Sequence, residues 1–281
     1  MTEHPTEPAR GNLNRFMEKV HEERGVDLSQ YRPRYVERRI AVRLHHLDLH
    51  TYTQYAAYLD AHPEEYAKLL STLTINVTQF FRDATVYNVL RDTIVPTILE
   101  QKRERKQRLI RVWSAGCATG EEAYSLAMSF LDGMERTKAH ECVLSIIGTD
   151  IDRDALAVAK RGEYPIRHLS HIPHHYRTRY IERGVETFRF SPEVSKVVRF
   201  QYLNLFADAP IHGIDVVFCR NVFIYFNRDE QERMLSVFRH SLVRGGYLVL
   251  GRSERLATSM NKEFELVDAR ERVYRRPFTL L

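Results

Sequence analysis

Four polar segments of the chain carry side chains suited to a small, charged ligand. Residues 114–122 (SAGCATGEE) form a small-residue turn that opens a helical pattern. Missing side chains let a ligand approach the backbone there, and the free N–H groups of the following helix would face it. Glu121 and Glu122 close the turn; they would repel a pyrophosphate but suit a ligand bearing a sulfonium and an ammonium group. The order G-C-A-T-G also departs from the G-x-G-x-x-G dinucleotide fingerprint. Taken alone, the segment reads equally as a plain strand-to-helix turn. Asp150 ends the apolar run VLSIIGTD, where its carboxylate can accept hydrogen bonds from both hydroxyls of an adenosine ribose. Residues 72–83 (TLTINVTQFFRD) set Asn76, Thr78 and Arg82 beside two phenylalanines, and residues 219–226 (CRNVFIYF) set Cys219, Arg220, Asn221 and Tyr225 just after another apolar run.

Short apolar runs at 109–115, 143–150, 197–204, 214–221 and 246–253 alternate with helical patterns, as in a parallel sheet wrapped by helices. In such sheets ligands bind outside the carboxyl ends of the strands, where these polar segments lie. FELVD at 264–268 and RVYRR at 272–276 are too close for a helical crossover and predict an antiparallel hairpin at the sheet edge. The fold class expected is therefore α/β, a doubly wound methyltransferase-type sheet with a terminal hairpin. Residues 1–12 are expected as a disordered tail, 13–90 as an all-helical domain, and 91–281 as the sheet domain, with a small antiparallel β insertion at about 163–200. The TFRF and VVRF segments mark that insertion.

Together these blocks, with WSAGCATGEEAYSLAM and GTDID, resemble the chemotaxis receptor methyltransferase (CheR-like) family from about residue 14 to 276. The resemblance implies a class I S-adenosylmethionine-dependent fold, with S-adenosylhomocysteine as product and no metal. It implies that Asn76, Thr78, Arg82, Glu122, Asp150, Asn204, Leu205, Cys219 and Arg220 contact the cofactor, with Arg82 and Tyr225 near the transferred methyl as catalytic residues. The implied substrate is a glutamate carboxylate on the helical cytoplasmic region of a chemoreceptor, and the product is a methyl ester. A glutamate of pKa about 4.3 is already an anionic nucleophile at neutral pH, so no general base is required. Arg82 and Tyr225 are accordingly read as orienting groups.

Between residues 31 and 44 stand five arginines and one glutamate. At helical spacing Arg34, Arg38 and His45 fall opposite an apolar stripe of Val36, Ile40, Leu44 and Leu47, with Arg39 and Arg43 flanking it. A solvated helix face is one reading of this ridge. The resemblance implies the other, in which Arg38, Arg39, Arg43 and His45 bind the acidic receptor helix. The short loop RGVETF at 183–188 predicts no dependence on a peptide tether at the receptor's C-terminus.

The composition is that of a globular chain: 281 residues, 43% hydrophobic, net charge +5. No run approaches the roughly 18–20 apolar residues of a membrane helix, and residues 1–10 lack an apolar leader, so a cytoplasmic monomer without membrane insertion is expected. Three scattered cysteines, Cys117, Cys142 and Cys219, read as reduced thiols. Four histidines within 168–175 match no zinc spacing and read as surface groups. Two rival functions stay open on sequence. A nucleic-acid methyltransferase suits the basic charge but lacks an N-P-P-Y-like turn. A non-catalytic adaptor that senses S-adenosylmethionine must explain why Arg82 and Tyr225 are both retained.

Overall fold

A computed structural model describes residues 7–74 and 77–278, and these fall into two compact units, residues to 74 with Tyr225–Glu230 and the remainder. The first unit is all helical: α1 (Glu7–Arg24), α2 (Pro33–His46), α3 (Tyr52–Ala61) and α4 (Glu65–Leu73). Helix α1 starts inside the stretch expected as a tail; residues 1–6 lie outside the described ones. Pro33 starts α2, where a missing N–H costs nothing. Thr51 and Gln54 cap α3 reciprocally, each side chain bonding the other's backbone N–H at 3.1 Å. Phe16, Val20, Val36, Ile40, Tyr55, Leu59 and Leu69 fill the core between α1–α3 and α2–α4. The same unit holds Tyr225–Glu230: Arg32 N–H donates to the Tyr225 carbonyl at 2.9 Å, Asn227 N–H to the Gln30 carbonyl at 3.1 Å, and the Tyr225 ring lies 4.9 Å from that of Tyr35.

The second unit begins with α5 (Thr85–Val89), which continues through a π-helical turn, Leu90–Ile94, into α6 (Val95–Glu104). Val86, Leu90, Ile94, Val95 and Ile98 pack into the core of this unit. The boundary therefore falls near residue 75, not at 90 as the run of helical patterns suggested.

There follow β1 (Leu109–Ala115), α7 (Glu121–Arg136), β2 (Val143–Asp150), α8 (Arg153–Arg161), β3 (Glu163–Pro165), α9 (His174–Tyr180), β4 (Ile181–Arg183), β5 (Thr187–Phe190), α10 (Pro192–Ser195), β6 (Val198–Tyr202), β7 (Ile214–Cys219), α11 (Arg228–Ser241), β8 (Leu242–Leu250), β9 (Glu265–Asp268) and β10 (Val273–Arg275). The main sheet runs β6-β2-β1-β7-β8-β10-β9, with the first five strands parallel and β10 antiparallel to both neighbours. All five expected parallel strands and the terminal hairpin are present. Every residue of β7 is buried, as a central strand covered on both faces requires.

The β insertion is the antiparallel sheet β3-β5-β4. TFRF is its middle strand, but VRFQY pairs in parallel with β2, so VVRF belongs to the main sheet and the insertion ends earlier than residue 200. The charged stretch 101–108 is not a bare linker either: Lys102 is buried and meets Asp215 of β7 at 2.7 Å. No helix among the described residues is long and apolar enough to cross a membrane.

Candidate active site

Strand order reverses between β1 and β7, so a crevice opens at their carboxyl ends, flanked by β2. The turn after β1 is built around that opening. Gly116 and Cys117 both donate backbone N–H to the Thr149 carbonyl, at 2.8 and 2.9 Å, and Ala118 N–H donates to Asp150 Oδ2 at 2.8 Å. Gly116 and Gly120 sit at φ +78° and +97°, a region costly for other residues, and a Cβ on Gly116 would lie 2.7 Å from Val222 Cγ2. Asp150 Oδ1 accepts from Asp152 N–H at 2.9 Å. Each Asp150 oxygen thus has one backbone donor and a lone pair to spare for a ribose hydroxyl. Asn204 and Leu205 follow β6, beside β2; Asn204 Oδ1 accepts from Phe206 N–H at 3.0 Å, which fixes this rim.

Glu122, on the first turn of α7, accepts from Ser114 Oγ at 2.7 Å. Burial holds its pKa above the ordinary 4.5; Arg220, Ser114 and Arg82 pull it back, whereas Glu254 pushes it up. Asp150 is likewise raised by burial, against the pull of its backbone donors. Arg220, 6% exposed, extends one guanidinium nitrogen to the Arg82 carbonyl at 2.9 Å and another to Asp83 Oδ2 at 2.5 Å. Phe81 and Asp83 both adopt left-handed backbone, φ +52° and +53°, which brings the Arg82 carbonyl to Arg220. Thr78 is half-buried in the loop whose Val77 carbonyl accepts from Arg82 at 2.8 Å. Asn76 lies outside the described residues.

The structure thus brings Arg82, Glu122, Asp150, Asn204, Leu205, Cys219 and Arg220 to one edge of the sheet. Tyr225 groups with the helical unit instead. Sequence reasoning passed over Asp83 and Tyr87 and left Asn221 without a role. At this edge of the sheet Arg220 Nε, Asn221 Oδ1 and Tyr87 Oη are among the polar atoms of the described residues that are buried without a hydrogen-bond partner. Such atoms are costly unless a ligand completes them. With two half-buried carboxylates to face a sulfonium and an ammonium, they fit S-adenosylmethionine. Cys117 and Cys219 are no nucleophiles here, since burial pushes both thiols well up.

These carboxylates give a pH dependence with two opposite signs. A carboxyl whose folded pKa is raised adds stability below its unfolded pKa and loses it as pH rises through the folded value. Without ligand, Glu122 and Asp150 should therefore contribute more stability on acidification. Affinity for the cationic cofactor should move the other way, falling as pH drops through the raised values, because a protonated carboxyl no longer attracts the sulfonium. Calorimetric titration with S-adenosylmethionine across the acid range checks this, and Glu122→Gln should flatten the profile.

On α2, Arg38 and His45 are exposed, and Arg39 is half-buried with its guanidinium 5.8 Å from the Tyr35 ring. Arg43 departs from the expected ridge. It turns inward to Glu65, Nε to Oε1 at 2.7 Å, and Glu65, 1% exposed, also accepts from Tyr55 Oη at 3.1 Å. Its charge is paired inside the helical unit, unlike the exposed Arg38 and His45. Arg43→Ala should strand a buried carboxylate and cost about 3 kcal/mol, whereas Arg38→Ala should change stability by no more than about 0.5 kcal/mol. Thermal denaturation of the two variants checks the contrast.

The sheet order, the terminal hairpin and the crevice at the β1/β7 reversal define a class I S-adenosylmethionine-dependent methyltransferase. Residues 76–273 match the family model of the CheR methyltransferase SAM-binding domain, and residues 11–74 match that of the CheR methyltransferase all-alpha domain. Over 242 residues the chain is 34% identical to a chemotaxis protein methyltransferase of Listeria innocua, covering 86% of this chain and 88% of that one. Over 257 residues it is 29% identical to a chemotaxis protein methyltransferase of Borreliella burgdorferi, covering 90% of each. A 104.1 kDa uncharacterized protein of Rhodobacter capsulatus is 33% identical over 268 residues, 95% of this chain but 28% of that protein. The chain belongs to the CheR methyltransferase family.

Proposed function

We propose that this protein methylates glutamate side-chain carboxylates on the helical cytoplasmic region of a chemoreceptor, giving methyl esters. The observation that supports the reading is the meeting, at one crevice of a CheR-family fold, of half-buried carboxylates (Glu122, Asp150) beside Arg220 for a cationic methyl donor with Arg82 for an anionic acceptor. S-adenosylmethionine, when bound, supplies an electrophilic methyl group.

The chain's own contribution is alignment. Asp150 and the turn 116–120 seat the ribose, Glu122 faces the cationic end, and Arg82 and Tyr225 orient the accepting carboxylate and offset its lost hydration. Asn76, Thr78, Asn204, Leu205, Cys219 and Arg220 complete the cofactor's surroundings. Proton transfer plays no part, because the acceptor is already ionised.

The exposed Arg38 and His45, with Arg39, form the docking ridge for an acidic receptor helix. The β4–β5 connection is tight, with Gly184 N–H bonded to the Thr187 carbonyl at 2.9 Å, and supports action without a receptor tether. Peptide mapping by mass spectrometry, after incubation with cofactor and a soluble receptor helical fragment, should find single methyl groups on glutamates. Methyl groups on lysine or arginine, or on co-purified nucleic acid, would overturn the assignment.

A further inference from the structure

The loop that leads from β7 toward Tyr225 is held by a residue outside every motif considered so far. Glu254 stands four residues beyond β8 and is 3% exposed. No ion pair reaches it among the described residues. Its carboxylate is satisfied by backbone donors instead: Oε2 accepts from Gly251 N–H at 2.6 Å and from Asn221 N–H at 3.0 Å, and Oε1 from Phe223 N–H at 2.8 Å. One side chain thereby ties the exits of two adjacent strands together. Between the tied points Asn221 is held at φ +61°, an unfavourable region for most residues. That turn also carries two of the crevice's buried polar atoms that lack partners, Arg220 Nε and Asn221 Oδ1.

We propose that Glu254 is a positioning residue of the methyl-transfer site, which sets the turn 220–223 so that Arg220 and Asn221 meet the cofactor. The proposal rests on the function proposed above. Only an acceptor-only group can receive all three donors, and a glutamine amide would turn an N–H against at least one of them. The negative charge serves a second purpose. Glu254 lies near enough to push up the pKa of Glu122, so both carboxylates contribute to the field that draws a cation into the crevice. Burial raises the Glu254 pKa, and the backbone donors oppose that shift.

The test uses the full chain and measures S-adenosylhomocysteine affinity and kcat well below the melting temperature. Glu254→Gln preserves volume, so it should leave the protein folded while weakening the product's binding about tenfold or more, with kcat reduced too. Gly251→Ala disturbs the same contact without removing the charge, since its Cβ would lie 2.7 Å from Glu254 Oε2 and 2.9 Å from Asn221 N. It should reproduce the loss of affinity. Affinity and kcat within about twofold of wild type in both variants, even with a lowered melting temperature, would overturn the proposal, as would failure of both to fold, which would make Glu254 a requirement of the fold alone. A wild-type chain that does not bind S-adenosylhomocysteine would instead count against the proposed function.

Discussion

Arg220→Ala should weaken S-adenosylhomocysteine binding by roughly 100-fold and lower the melting temperature by roughly 10 °C. The side chain is 2% exposed and makes two contacts that nothing else replaces, to the Arg82 carbonyl and to Asp83. Removing one partner of a buried pair costs about 3–5 kcal/mol, with the lower end apt here because Asp83 is one-third exposed. The loss of affinity has a separate origin. Arg220 is the strongest cationic influence holding down the pKa of Glu122. Without it Glu122 takes up a proton more readily and no longer attracts the cofactor's positive charge. Arg220→Lys keeps the charge but not the fork, so it should fall between the two. Calorimetric titration and thermal denaturation read the two effects independently; unchanged affinity would remove Arg220 from the cofactor site.

Arg82→Ala should lower kcat by about 100-fold or more while changing stability by less than about 1 kcal/mol. The asymmetry follows from how the residue is held. Its backbone carbonyl anchors Arg220, and alanine keeps that carbonyl. Its side chain makes an exposed hydrogen bond to the Val77 carbonyl, which water can replace. On the proposed function the guanidinium is left for the substrate carboxylate, whose desolvation has to be offset as the methyl moves. Single-turnover kinetics separate this loss from any change in cofactor affinity. A fall of only a fewfold in the chemical step would mean that another group orients the carboxylate.

What the sequence disclosed and what it concealed divide along the range of the interactions. The β1–α7 turn, Asp150 and Arg220 follow from local patterns: an apolar run, then small or polar residues at a strand's carboxyl end. The five parallel strands and the hairpin were legible for the same reason. Glu254, Asp83 and Lys102 were not, because each acts on a segment far away in the chain: Glu254 on Asn221, Asp83 on Arg220, Lys102 on Asp215. Arg43 looked like part of a basic ridge because helical periodicity places a flanking residue but cannot show that Glu65 waits beside it. VVRF was ambiguous since a short β-rich run carries no mark of its partner, and pairing with β2 decided it. The domain boundary was misjudged because α5 and α6 carry the same helical pattern as the first unit, and only packing separates them.

The central claim is tested most directly by incubating the purified protein with methyl-labelled S-adenosylmethionine and membranes containing the host's chemoreceptors, then treating the labelled receptor band with alkali. The account predicts receptor label that is released by base and absent with Arg82→Ala. Alkali-stable label, or tight cofactor binding with no label on the receptor, would contradict it.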